Sequence, residues 1–307
     1  MNSGKIEVVS LGYTGNDYLC LVPEIVFDGK VQMSDYVVQG GGPAGGAANA
    51  AARLGVPTAF LGMIGDDTEG ERILADFKAE GIDTSAMMVV KGGASAVAKC
   101  LITPDAKRTV VWRRHSHLYD PALLPKEMIS ECRILHFDGH HTEAAIAAAK
   151  LAAEHPSVLR CFDAGTVMPG VEELLSLCDV VIASEAFARK WTGEDDLDKA
   201  LPRLHTGRKV TGITMGCLGS MCVSQGKVYR LPCFDPGKIV DTTGAGDSYH
   251  GAFEVKYAES GDVPLSMAFA AVFAALKCRQ IGARAGQPSR AETEAALAGW
   301  NWRELIR

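Results

Sequence analysis

The sequence predicts an α/β protein with a mainly parallel sheet flanked by helices, in one domain. Three observations carry this. Short apolar, strand-like runs alternate with helix-like segments along most of the chain. Of 307 residues, 47% are hydrophobic, enough for a large buried core. No internal repeat or low-complexity linker divides residues 1–307 into independent parts.

Taken in order, residues 6–11 (Ile-Glu-Val-Val-Ser-Leu) read as a first strand, residues 47–54 as a small-residue helix, and residues 58–64 as a strand. Residues 68–80 place Ile73, Leu74 and Phe77 at helical spacing and end at Gly81, a residue suited to a left-handed cap. Residues 142–154 are an alanine-rich helix. Strands follow at 158–162, 179–183 and 210–214, and helices at 244–259 and 265–279. Two stretches break the rhythm, around residues 18–38 and 95–115. The second reads as strands over 96–103 and 108–114 joined by the turn Pro104-Asp105-Ala106-Lys107. They are expected to form a small β-lid, spanning about 13–40 and 94–116, over the active edge of the sheet; the other reading is edge strands of the main sheet.

The net charge is −6, and no lysine- or arginine-rich run marks a nucleic-acid surface. Nine cysteines without a CxxC pair read as reduced thiols packed as small apolar groups. No apolar run reaches membrane-spanning length, and residues 1–20 lack the basic-then-apolar pattern of a signal segment. These features lead to the expectation of a cytoplasmic protein with neither nucleic-acid nor membrane partner.

The stretch that carries chemistry is residues 240–253, Val-Asp-Thr-Thr-Gly-Ala-Gly-Asp-Ser-Tyr-His-Gly-Ala-Phe. Glycines bring bare N–H groups close to a ligand, and the first N–H groups of a helix lack internal partners. With the positive end of the helix dipole they form an anion site. Gly244, Ala245 and Gly246 are therefore expected to cradle a moving phosphoryl group. Asp247, directly after them, is placed to accept a hydroxyl proton from the acceptor. An N-capping aspartate after a flexible turn is the alternative.

Asp241–Asp247 resembles the C-terminal signature of the ribokinase family, the phosphofructokinase-B-type carbohydrate kinases. Residues 40–55 resemble its N-terminal glycine-rich signature, ending in Ala-Arg-Leu-Gly, and residues 60–70 (Phe-Leu-Gly-Met-Ile-Gly-Asp-Asp-Thr-Glu-Gly) the strand and turn after it. Two signatures in the right order span nearly the whole chain. The resemblance implies a ribokinase-like three-layer sandwich with a small β-lid, and ATP-dependent phosphorylation of a sugar or sugar-derivative hydroxyl, with Mg2+. It makes Asp247 the base and Gly244, Ala245 and Gly246 the anion hole. It places Asp241 and Thr243, with carbonyls near Lys277, Gln280 and Gly282, around a candidate monovalent cation such as K+, although Gly286 stands where some relatives offer a side-chain ligand. Thr214, Gly216 and Gly219 match the loop that contacts ATP phosphates, with Thr243 beside them. Asp17 matches a substrate-binding aspartate at the end of the first strand, where a carboxylate accepts hydrogen bonds from vicinal sugar hydroxyls, and Gly41 and Gly42 match glycines on which the substrate lies.

Three departures stand out. Gly46 replaces an asparagine; Asn49, one helical turn on, either reaches the same space or is a buried, bonded helix residue. The Asn-x-x-Glu motif that helps organise magnesium is Ser184-Glu185-Ala186-Phe187, leaving water and Glu185 for the ion. The lid contacts differ as well. Gly40-Gly41-Gly42-Pro43-Ala44, Ser184-Glu185 and Ala275-Leu276-Lys277-Cys278 with Arg284-Ala285-Gly286 resemble a bacterial ketose-kinase branch that includes sulfofructose kinase, yet His140 stands where that branch's sulfonate-binding arginine is expected. His140 and His141 read either as substrate contacts or as loop residues. In the second lid strand, alternation puts Arg113 and His115 on one face and Trp112 and Arg114 on the other. Arg113 or Arg114 is a candidate for an anionic group on the substrate. A nucleoside kinase on the same fold is the second functional reading, supported by Tyr13, Tyr18 and Trp112. Lid strands in this family often pair between subunits, so a homodimer through the lid is expected.

Overall fold

Val8–Leu11 (β1) is buried along its whole length, as a central parallel strand must be. The chain leaves it through Gly15–Leu21 (β2) and Asp35–Gly41 (β3) and enters the helix Pro43–Arg53 (α1). Pro43 begins α1 because a first-turn residue needs no N–H; the helix thus starts four residues before the expected Ala47. The structure, a computed structural model, describes residues 5–105, 107–115 and 117–307. Ala106 of the expected lid turn and Ser116 at the expected lid end lie outside them.

The strand expected over 58–64 is two strands, Thr58–Leu61 (β4) and Met63–Gly65 (β5). Gly62 divides them. It packs so closely on Phe60 and the Gly12 carbonyl that no side chain fits, and its own carbonyl accepts from Met88 N. Thr68–Ala79 (α2) follows, capped by Asp67, whose side chain accepts from Gly70 N. Met88–Val90 (β6), Val97–Ile102 (β7) and Arg108–Arg113 (β8) lead to Lys126–Glu131 (α3). Then come Ile134–Phe137 (β9), Thr142–Ala153 (α4), Leu159–Ala164 (β10), Val171–Leu177 (α5), Val180–Ser184 (β11), Glu185–Thr192 (α6), Leu197–Leu204 (α7) and Val210–Thr214 (β12). Ser220–Ser224 (β13) and Lys227–Leu231 (β14) precede Ala245–Ser260 (α8), Val263–Lys277 (α9), Arg290–Ala298 (α10) and Trp302–Leu305 (α11).

The main sheet has the order β14-β13-β12-β11-β10-β9-β1-β4. Its pairings from β4 to β12 are parallel; β12–β13 and β13–β14 are antiparallel. Side chains alternate between two apolar layers. Val9, Leu135, Phe162 and Ile213 pack with α4, α5, α6 and α7, while Val8, Ile134, Cys161 and Val210 pack with α1, α8 and α9. A separate sheet, β3-β2-β7-β8, is built from the two stretches without helical periodicity, and they are not edge strands of the main sheet. The ends of Thr103 and Lys107 meet through Thr103 N donating to Lys107 O, which closes the β7–β8 turn.

Candidate active site

The carboxyl ends of β1, β9, β10, β11 and β12 lie along one edge of the main sheet, where open α/β sheets present their loops to ligands. Helix α8 begins at this edge. Its N-cap Gly244 adopts a left-handed backbone (φ 73°), and a Cβ there would lie 2.7 Å from Ala283 Cα and O, so glycine is required twice over. Ala245 N donates to Thr242 O. Among the described residues the N–H groups of Gly244, Gly246 and Asp247 have no hydrogen-bond partner. Apart from its chain neighbours and its own helix backbone, no atom lies within 4 Å of the position a Cβ would take at Gly246, so the helix start is open on that side. The sequence reading is refined here, because the free donors are those of Gly244, Gly246 and Asp247 rather than the N–H of Ala245.

Asp247 is half-buried, and its Cβ lies 2.7 Å from where a Cβ on Gly46 would stand. The small residue at 46 thus makes room for the carboxylate. Burial pushes the Asp247 carboxyl well above the usual carboxylate range; the charges of Asp163 and Asp138 raise it further, against His136 and Arg284. Asp17 lies in β2, in the small sheet, and not at the end of the first strand. Its carboxylate rests on the backbone of Gly41. Burial raises it to about 6, opposed by Arg284 and helped by Asp247 and Asp241. Asp17 and Asp247 are thus two carboxylates of raised basicity, near enough for the Asp247 charge to act on Asp17.

Several groups that hold this arrangement escaped the sequence reading. Arg284 is buried; Nη2 donates to Thr14 Oγ1 (2.8 Å) and Gly41 O (2.5 Å), and the guanidinium stacks over Phe77. Gly40 and Gly45 give it room. Gln287 donates to Gly46 O (3.0 Å) and Ser248 Oγ (2.9 Å) and accepts from Asn49 Nδ2 (2.8 Å). Asn49 is therefore a buried, bonded helix residue, the second of its two readings, because Gln287 takes up its amide. Behind Asp247 lies a buried ionisable cluster. His136 Nδ1 meets both Glu254 oxygens (2.8 and 3.0 Å), and His250 Nε2 pairs with Asp163 Oδ1 (3.2 Å). Asp138 accepts from the N–H groups of Tyr13, Ala44 and His140, which pins the loops after β1 and β9. The signal for Arg284 was available: a charged residue inside Gly282-Ala283-Arg284-Ala285-Gly286.

Ser184 caps α6, accepting from Phe187 N, and Glu185 pairs with Arg189 (3.0 Å). Thr214 ends β12. Gly216 has open space at its Cα, whereas Gly219 passes close over the Leu231 and Pro232 backbone. Arg113 Nη2 donates to Ser95 O (3.2 Å), so it is engaged at the base of the small sheet. Arg114 is the arginine whose charge reaches Tyr13, His115 and His140. Those three rings form one cluster, with Tyr13 5.5 Å from His115 and 5.1 Å from His140 between centroids. From the start of β8, Arg108 Nη1 donates to Thr243 Oγ1 (2.9 Å), joining the small sheet to the loop before α8. A charge-assisted bond between these two segments predicts that Arg108→Gln lowers the melting temperature by a few degrees, as thermal denaturation will measure.

The groups expected around the cation are bonded to one another. Lys277 is fully buried, and its Nζ donates to Asp241 O at 3.0 Å. The Asp241 carboxylate accepts from Thr243 N, Thr243 Oγ1 and Gly282 N. Lys277 O accepts from Gln280 N, and a Cβ on Gly286 would lie 2.5 Å from that carbonyl, so the missing side-chain ligand has no space there. Among the described residues no group of three or more His, Cys, Asp or Glu could hold a metal, and no helix is long and apolar enough to cross a membrane.

Known proteins place this architecture. The chain is 28% identical over 295 residues to a ribokinase of Haemophilus influenzae, covering 92% of this chain and 95% of that protein. It is 26% identical over 290 residues to an adenosine kinase of Schizophyllum commune, covering 82% and 83%. It superposes with a TM-score of 0.85 on the Arabidopsis thaliana ribokinase complexed with ribose and ATP, at 22% identity and covering 96% of this chain and 99% of that one. The fold is thus ribokinase-like, an α/β sandwich whose sheet is flanked by helices on both faces. Residues 5–290 match the pfkB family carbohydrate kinase, and the chain belongs to that family of ATP-dependent kinases.

Proposed function

We propose that this kinase transfers the γ-phosphoryl group of ATP to a hydroxyl of a sugar or sugar derivative, with Asp247 as general base. The observation that carries the reading is the convergence at one point of the unpartnered N–H groups of Gly244, Gly246 and Asp247, the Asp247 carboxylate and open space above Gly246. The donors hold the charge on the equatorial phosphoryl oxygens, and Asp247 takes the acceptor proton as its oxygen attacks. Asp17 binds neighbouring hydroxyls, with Gly41 and Gly42 beneath the substrate. Thr214, Gly216, Gly219 and Thr243 face the phosphates. Ser184 and Glu185, at the same sheet edge, are the residues that would help hold a hydrated Mg2+, which would supply neutralisation of phosphate charge. The whole chain acts as one kinase domain, and β2, β3, β7 and β8 form its lid.

A coupled assay of ADP release against ketoses, sugar acids and nucleosides tests the reading. Turnover of sugars or sugar acids supports it; turnover of nucleosides alone replaces it with the nucleoside-kinase reading, which the Tyr13–His115–His140 ring cluster and the likeness to an adenosine kinase support. Arg114 is the better candidate for an anionic substrate group. With an anionic acceptor, Arg114→Ala is expected to raise acceptor KM about tenfold and Arg113→Ala to leave it within about twofold; equal effects would remove Arg114 from this role. The exposed β8 edge carries Val111 and Trp112 at 69% and 57% exposure, which supports a homodimer through the lid. Val111→Lys is then expected to shift the sedimentation coefficient from dimer to monomer.

A further inference from the structure

We infer that the Lys277 side chain is a resident cation that braces the loop behind the anion hole, so that this kinase works without a bound monovalent metal ion. Lys277 is the last residue of α9, it is fully buried, and Nζ lies 3.0 Å from the carbonyl of Asp241. A buried ammonium without oxygen partners is strongly disfavoured, so this contact is a built feature. Asp241 begins the four-residue run that ends at Gly244, the N-cap of the helix whose first N–H groups are open. Holding its carbonyl fixes the turn from behind, while the Asp241 carboxylate is saturated by Thr243 and Gly282. Arg108 adds a second positive charge on the same loop through Thr243. A free ion entering here would lose the Asp241 carbonyl as a ligand and face two cationic side chains. The Lys277 carbonyl is already in use by Gln280, and Gly286 offers no side chain. A tethered ammonium costs less translational entropy on binding than a free ion, so the turn stays ordered whatever the salt.

The test compares KCl with tetramethylammonium chloride at matched ionic strength, on the full chain, with melting temperature and ATP-coupled turnover as readouts. Only the turnover readout rests on the kinase reading; the melting readout stands without any acceptor. For the wild type, both readouts are expected to be the same in the two salts. Lys277→Met keeps the stem and removes the charge. In tetramethylammonium its turnover is expected to fall about tenfold and its melting temperature to drop, and KCl or NH4Cl is expected to restore both in part. Lys277→Arg, which keeps a cation, is expected to remain indifferent to potassium. A potassium-specific gain in wild-type turnover or melting temperature overturns the inference, as does a Lys277→Met protein indifferent to potassium. If Lys277→Met does not fold, the wild-type comparison decides alone. Should no acceptor be turned over, the kinase reading fails while the melting data still decide the role of Lys277.

Discussion

Asp247→Asn is expected to lower kcat by about 10²–10⁴-fold while leaving the KM for ATP within about threefold. The amide keeps the volume and the N–H of residue 247, so the open donors of the helix start persist and only the base is lost. The same substitution is expected to raise the melting temperature at neutral pH. The sign follows from the raised carboxyl: a group whose folded pKa exceeds its unfolded value costs stability once it ionises, above the unfolded carboxylate value, and asparagine removes that cost. Loss of turnover with a gain in stability is what a base held among Asp163, Asp138 and Asp17 should give. The wild-type kcat/KM should fall on acidification through an apparent pKa above the ordinary carboxylate range, and this limb should vanish from the residual activity of Asp247→Asn. Full turnover by Asp247→Asn would show that another group takes the proton.

How much of this was legible depends on whether a residue announces itself in its own segment. The helix start at Gly244–Asp247 did so, because small residues, a helix and a carboxylate are contiguous there. The two lid stretches were visible as the loss of helical period, and β7 and β8 fell within a residue or so of the expected bounds. What stayed hidden depends on contacts distant in sequence. Nothing near Asn49 tells that Gln287, from the loop beyond α9, occupies its amide. Strand alternation put Arg113 and His115 on one face, but it could not reveal that Ser95 O captures Arg113. The resemblance placed Asp17 at the end of the first strand; the break at Gly12–Thr14 that sets it in β2 exists because Asp138, from the loop after β9, leaves no room for a side chain at Gly12 and binds Tyr13 N. The neighbourhood of Asp241 depends on such a distant contact as well. The loop around Asp241 can be matched from sequence, but the long reach of Lys277 back to its carbonyl cannot.

Removing the buried partner of His136 should give the largest stability loss. Glu254→Gln is expected to destabilise the fold by about 3–5 kcal/mol, because it breaks a buried pair and the imidazolium that loses its counter-charge must discharge or stay unpaired in the core. In the wild type, burial alone would discharge His136, but the Glu254 charge and hydrogen bonds, helped by Asp163 and Asp138, raise it to about 9. A histidine raised in the folded state stabilises fully below its unfolded value near 6.5, and that stabilisation is lost as pH rises from there through about 9. Denaturant titrations should therefore show stability falling across this window by roughly 3 kcal/mol. The Glu254→Gln protein should show a much flatter alkaline dependence. Two other histidines act in the opposite direction: burial pushes His250 down to about 3 and His141 to about 4, so both fold as neutral rings. Each stabilises above the unfolded histidine value and loses that contribution as pH falls toward its folded value. His136 thus governs the alkaline side, while on the acid side the losses at His250 and His141 are opposed by the raised carboxyls of Asp17, Asp163 and Asp247, which gain stability as they protonate. Because His136 and Asp163 also shape the field at Asp247, the alkaline loss of the imidazolium should raise the basicity of Asp247 in the pH range where the fold weakens, so turnover and stability are expected to diverge above neutral pH. An alkaline stability profile unchanged by Glu254→Gln would assign the dependence to surface groups instead.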